Sequence, residues 1–281
     1  ENARDAGVHL AFFTGNEGFW KTRWEPSAAG PTTQDRTLVS YKDTHFTSRQ
    51  DPVEWTGTWR DPRFTTPSEN VTPENALPGQ SFVVNSGTSH ITVPYEFKNL
   101  RFWRNTDVAS LSPGQKVDLA PDTLGYEWDE DPDNGFRPPG TVRLSSTTVS
   151  DVEVFTDYGS TTRFGGTATH TMTLYRAPSG ALVFGAGTVQ WAFGLDSWNP
   201  GDNPPDRNMQ QATVNLFADM GVQPATLASN LTPASPSTDT TPPTATITNP
   251  PTTVADGSTV VLTGTATDAG GGVVAGVEIS T

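Results

Sequence analysis

The sequence predicts an α/β domain with a large β-rich insertion, then a linker, then the opening strands of an antiparallel β-sandwich. Three observations predict it. A nearly continuous apolar run, Val8 to Phe13, follows a glycine-capped helix end. An amphipathic helix closes the domain over Asn208 to Met220. Beyond Pro243, apolar residues alternate with period two between turn signals. Strands buried on both faces of a parallel sheet read as continuous apolar runs, whereas half-buried strands alternate.

Asn2 to Ala6 have helix composition and Gly7 stands at the C-terminal cap position. Val8 to Phe13 follow as a buried strand, and the loop T-G-N-E-G-F-W comes straight after it. The chain thus reads as an αβ unit entered midway, with its earlier half upstream of Glu1. From Glu25 to Asp122 no helical periodicity is visible, and Pro26, Pro52, Pro62, Pro78, Pro94 and Pro113 punctuate the stretch. Short strands fit between them at Ser81 to Val84, His90 to Val93 and Leu100 to Trp103, which makes this a β-rich insertion or lid. Strand signals return from Thr141 to Thr173, and a Ser179-Gly180 turn precedes a short apolar strand at Leu182 to Phe184. In the closing helix Met209, Ala212, Leu216, Phe217 and Met220 form one stripe, with Asp206 or Asn208 as cap and Gly221 as terminator.

After Pro224 the composition changes to Thr, Pro, Ser and Ala. The predicted organisation is a domain over 1–227, a semi-extended linker over 228–243 and a partial immunoglobulin-like module over 244–281. Such a module needs about 100 residues and about seven strands. The remaining length holds about three strands, so the module is expected to be cut.

Composition narrows the partners. Acidic residues number 31 against 17 basic ones, for a formal charge of -14. A polyanion is bound by releasing counterions onto Lys and Arg, so nucleic acid is not an expected partner. No run approaches the ~18 apolar residues of a membrane helix, so membrane insertion is not expected either. The chain has no cysteine, which removes disulfides, thiolate ligands and a Cys nucleophile.

The loop after the first strand carries the strongest site signal, because ligands bind beyond the carboxyl ends of parallel strands. There Glu17 is the candidate acid/base, with Asn16 to bind substrate, Trp20 as a wall and Arg23 as an anion clamp. A structural corner is the competing reading, with Arg23 paired to Glu25 or Glu17. In E-W-T-G-T-W-R-D, Trp55 beside Arg60 and Asp61 suits a sugar or another flat ligand. Packing of the Trp residues with an Arg60–Asp61 pair competes with it. The acidic turn from Asp129 to Gly135 partly mimics a calcium loop, but Gly is seventh rather than sixth and the twelfth residue is Gly140 rather than Glu. None of the 4 histidines stands in H-E-x-x-H, and no G-x-S-x-G elbow exists.

Three stretches taken together carry a resemblance: G-V-H-L-A-F-F-T-G-N-E-G-F-W-K-T-R-W-E, L-G-Y-E-W-D-E-D-P-D-N-G-F and L-V-F-G-A-G-T-V-Q-W-A-F-G-L-D. With the closing helix they resemble the C-terminal domain of the large (β) subunit of N,N-dimethylformamidase. Similar domains in actinobacterial surface proteins are followed by immunoglobulin-like repeats, which implies a secreted or cell-surface protein. The family in turn is similar to class I glutamine-amidotransferase folds, implying a flavodoxin-like parallel sheet. The enzyme that names the family holds ferric iron through two tyrosines and a glutamate. By that resemblance iron is the implied metal of the complete protein, with calcium a weaker possibility. Glu127 in G-Y-E-W-D is the candidate glutamate, Asp129 beside it a second candidate ligand, and one tyrosine is expected upstream of Glu1. The implied activity is hydrolysis of a linear amide, with Glu17 and Glu127 as catalytic residues and part of the site outside this chain. The alternative is a non-catalytic module holding a glycan or a protein on a cell surface. The sequence leaves substrate and oligomeric state open.

Overall fold

The computed structural model of the chain describes residues 1–30, 32–63, 72–270, 272–277 and 279. In chain order, α1 spans Asn2–Asp5, β1 Leu10–Phe12, β2 Arg23–Glu25, β3 Thr37–Val39, β4 Ser81–Ser89, β5 Thr92–Pro94 and β6 Lys116–Asp118. Then come β7 Leu124–Glu130, β8 Val142–Arg143, β9 Thr147–Thr156, β10 Thr161–His170, β11 Thr173–Arg176, β12 Leu182–Gly185, α2 Arg207–Asp219, β13 Thr244–Ile247 and β14 Gly264–Thr267. The chain divides into two units, Glu1–Val93 with Asp118–Met209, and Pro94–Val117 with Gln210–Thr281.

Two sheets organise the first unit. One is a 4-stranded sheet in the order β1-β12-β11-β8. β1 and β12 run parallel, Leu10 beside Val183 and Phe12 beside Gly185, while β11 is antiparallel to both β12 and β8. β12 lies between β1 and β11, so all of it is buried. Tyr175, Ala177, Ala181 and Val183 form a core against which Leu10 and Phe12 pack. The other sheet is a closed barrel in the order β10-β7-β4-β9. Its seams fall at His170 beside Glu130 and at Val84 beside Val154. Phe19, Phe82 and Phe155 stack together, with ring centroids 4.8 to 5.4 Å apart.

The structure corrects the predicted fold class. A flavodoxin-like or glutamine-amidotransferase-like sheet needs parallel strands joined by crossover helices of a dozen or more residues. Among the described residues only α1 and α2 are α-helical, and neither lies between β1 and its parallel neighbour β12. The connection between them runs through the barrel instead. The fold is therefore mixed, mostly antiparallel β rather than α/β. The apolar run over Val8 to Phe13 misled because it forms β1, a half-buried edge strand, while the strand buried throughout is β12 at the centre of a mixed sheet.

The shorter elements divide. Gly7, with φ of 85°, ends α1 as expected. Ser81 to Val84 opens the longer β4, whereas Leu100 to Trp103 is a turn rather than a strand. Trp103 N–H donates back to Leu100 O at 2.9 Å, and Phe102 and Trp103 pack edge-on at 4.8 Å. Asp206 caps the closing helix, accepting from the N–H groups of Asn208 at 2.7 Å and Met209 at 3.2 Å. Gly221, with φ of 79°, terminates it. In the second unit β13 and β14 pair antiparallel, Thr244 beside Thr267, with every residue of β13 exposed. The third strand expected over 274–281 includes residues outside those described.

Replacing Phe184, fully buried in β12, with alanine is expected to cost about 3–5 kcal/mol. Replacing Leu38, 57% exposed in β3, should stay within about 0.5 kcal/mol. Urea midpoints of the two variants check this, and equal losses would contradict the placement of the core.

Candidate functional site

The candidate site lies where β1 and β12 end. Ala186 N–H donates to Phe12 O at 2.8 Å and extends the parallel pairing one step. The chain from β1 then turns through Thr14 to Gly18, with Asn16 left-handed at φ of 61°. Gly15 is required by close approach: a Cβ there would lie 3.0 Å from the main-chain nitrogen of Thr188. Gly187 is required twice over, by φ of 65° and because a Cβ would fall 2.3 Å from Gln80 Nε2.

Into this corner β7 brings two carboxylates. Glu127 and Asp129 are two apart on one strand and so face the same side. Asp129 N–H donates to Gly187 O at 2.9 Å. Its carboxylate accepts the Asn16 N–H at 3.0 Å on one oxygen and 3.3 Å on the other. The Asn16 side chain donates through Nδ2 to Glu127 Oε2 at 3.3 Å. One asparagine thus ties both carboxylates to the turn after β1.

Glu17 completes the cluster. Neither of its carboxyl oxygens has a hydrogen-bond partner among the described residues, nor does Asn16 Oδ1, and all three atoms are closed off from solvent. Burial pushes the Glu17 carboxyl up to about 9, and the negative charge of Asp129 adds to the effect. Asp129 is itself pushed above the usual carboxylate range, first by burial. The Asn16 N–H pulls against that, and the Glu74 charge reinforces it. Two buried carboxyls of this kind do not both ionise near neutral pH; one proton held between them supplies the donor that Glu17 otherwise lacks.

Two neighbours, His170 and Glu74, escaped the sequence reading, while the predicted Arg60 lies beside Glu74. His170 is fully buried, and its Nε2–H donates to Ala186 O at 2.9 Å, which fixes the tautomer. Burial pushes it down to about 4. Arg60, half-buried, donates to Glu74 and to Phe82 O at 2.7 Å, with its guanidinium over the Phe19 ring at 5.2 Å. Arg60 also lines a cleft of about 230 Å³ with Ser81, Val83, Glu130, Pro132 and Asn134. No motif marks His170 or Glu74, because their roles arise from strand pairing across distant segments.

The structure brings together Asn16, Glu17, Glu127 and Asp129. It engages the other expected site residues elsewhere. Arg23 is paired with Asp51 at 2.8 Å and with Glu25. Trp20 packs edge-on against Phe19 at 5.0 Å and lies 5.2 Å from the His45 ring. Trp55 is fully buried and offers no open face to a sugar. Asp61 does not pair with Arg60; it is buried against Arg63 at 2.9 Å.

Metal donors do not converge here. Among the described residues no group of 3 or more His, Cys, Asp or Glu is placed to hold an ion. In the acidic turn, Asp131 is taken by Arg137 and Arg143, each at 2.8 Å. Next to Glu127, Tyr126 points to the opposite face of β7 and is 52% exposed, and the Tyr175 hydroxyl donates to Leu77 O at 2.7 Å. With one tyrosine of the implied set expected upstream of Glu1, neither Tyr126 nor Tyr175 supplies the other beside Glu127.

A mixed β domain with a buried carboxyl pair at the ends of a parallel strand pair is the class that fold and site define. The chain matches the family described as N,N-dimethylformamidase beta subunit-like, C-terminal, over residues 1–207, and it belongs to that family. No curated protein matches the chain.

The folded chain keeps the Glu17 proton up to about pH 9, whereas the ordinary value is 4.5. Between those values the folded state binds the extra proton, so this contribution is complete below 4.5 and stability is lost as pH rises toward 9. His170 acts in the opposite sense: kept neutral down to about 4 against an ordinary 6.5, it lowers stability as pH falls through that window. Glu17→Gln is therefore expected to flatten the alkaline limb and leave the acid limb in place. Urea midpoints measured against pH test this. A wild-type midpoint that rises steadily from neutral pH toward 9 would contradict it.

Proposed function

We propose that this domain hydrolyses the C–N bond of a small linear amide, with Glu17 as proton donor and Asp129 as the base beside it. The observation that carries the reading is the pair of carboxyls buried at the turn after β1, Glu17 with no partner for its oxygens and Asp129 held by the Asn16 N–H, in a domain whose family is named for an amide hydrolase. A group that must donate at neutral pH needs a raised pKa, and burial gives Glu17 one.

The chemistry balances on these residues. The Asp129 carboxylate takes a proton from water as its oxygen attacks the amide carbonyl. The C–N bond then breaks, its electron pair goes to nitrogen, and Glu17 protonates that nitrogen. A carboxylic acid and an amine leave, and the proton gained by Asp129 returns to Glu17 across the pair. Asn16 holds the geometry, fixing Asp129 through its N–H and Glu127 through its amide. Glu127, held by the same asparagine, is the group that orients the attacking water. The Glu17 oxygens are closed from solvent, so reaction requires this corner to open to a substrate. Export to the cell surface belongs to the same reading, supported by the Thr/Pro/Ser segment and the paired strands that follow the domain.

Amine release from N,N-dimethylformamide and N-methylformamide by the complete protein tests the proposal. Glu17→Gln and Asp129→Asn are each expected to lower kcat by about 100-fold or more with little change in KM. Wild-type turnover by Glu17→Gln would refute the assignment.

A further inference from the structure

Residues 228–243 have the composition of a free spacer, yet part of the segment is held. Thr232 N–H donates to Gln211 Oε1 at 2.8 Å, and Thr232 O accepts from Gln211 Nε2 at 2.9 Å. This is the paired N–H and C=O exchange that a neighbouring strand offers, supplied here by one side-chain amide. Gln211 is fully buried in α2, and its Nε2 also donates to Asn215 Oδ1 at 3.1 Å, which fixes which end of the amide is nitrogen.

The same helix face continues the contact. Gln211, Asn215 and Asp219 recur every four residues and so stack along one side. Asn215, also fully buried, donates through Nδ2 to the carbonyls of Phe102 at 2.9 Å and Arg104 at 2.6 Å. That anchors the 101–103 turn alongside α2. Asp219 then holds Arg101 and Arg104, each at 2.9 Å. Both guanidinium groups also donate to Ser235 O, at 3.1 and 3.2 Å. Upstream, Asn230 Nδ2 reaches Gln210 Oε1 at 3.4 Å. At Thr232 and Ser235 every one of these bonds goes to the main chain of the segment, so side-chain identity there is not what is read.

We propose that this face of α2, with the 101–103 turn, is a docking groove for an extended Thr/Pro/Ser segment, and that the chain's own residues 230–235 occupy it. The free tether to β13 then begins only after Ser235. At ~3.1 Å per residue, residues 236–243 reach roughly 25 Å, about half of what 228–243 would span if released. Whatever follows the linker is thereby kept on a short lead.

Amide hydrogen exchange of the full chain, read by NMR at single residues, tests this. Thr232 is expected to exchange about 100-fold more slowly than residues 239–241 once intrinsic rates are divided out. Gln211→Ala should bring Thr232 to within a few-fold of them, whereas Thr232→Val, which keeps the main chain, should leave position 232 protected. An unprotected Thr232 in the wild type overturns the proposal by itself, even if the Gln211 variant fails to fold. Protection that survives Gln211→Ala, or is lost in Thr232→Val, overturns the reading of the main chain by Gln211. Protection that appears only at high protein concentration would put a second copy's segment in the groove and overturn the assignment within one chain.

Discussion

Asp129 is the tie on which the first unit depends. Its N–H binds the carbonyl of Gly187, just past β12, and its carboxylate binds the N–H of Asn16, just past β1. The residue belongs to β7, a barrel strand, so one side chain and one peptide group join the barrel to the neighbouring sheet. Both bonds are made out of water, where an unmade bond costs the full desolvation of the group left behind. The need for glycine at 15 follows from the same closeness, since a side chain there would press on the main chain at Thr188. Fold and site share one set of contacts there.

That sharing has an electrostatic consequence. A carboxylate buried to tie two sheets together raises the cost of ionising any acid beside it, and Glu17 is beside it. The chain is strongly acidic, yet other buried carboxylates are paired with arginine, as at Asp131 and Asp51. Glu17 has no such partner. The raised pKa of Glu17 is thus a by-product of how the barrel is attached.

The sequence made parts of this legible and hid others for definable reasons. Helix α2 was readable because capping and amphipathic spacing are local, and Asp206 and Gly221 do what their types suggest. The loop Asn16–Glu17 was readable as a polar turn because glycines and polar residues follow an apolar strand. The architecture was not, because an apolar run reports burial and not the direction of its neighbours. β1 and β12 are parallel, but everything between them is antiparallel barrel and turns. Arg23 and Asp61 looked available because their partners Asp51 and Arg63 were not visible in the sequence, and Trp55 because its burial was not. His170 carries no motif; only the pairing of β10 with β7 brings it to Ala186. The contact of Thr232 with Gln211 was hidden in the same way, since it runs through main-chain groups that composition does not show.

The state of the Glu17 proton decides the central claim. Carbon-13 labelling of glutamate carboxyls, followed by NMR as the folded protein is titrated, reads it directly. The account predicts one glutamate that stays protonated through neutral pH and titrates near 9, and that disappears in Glu17→Gln. A Glu17 carboxyl that titrates near its ordinary 4.5 would show that the pair holds no proton, and both the proton donor and the alkaline loss of stability would fall with it.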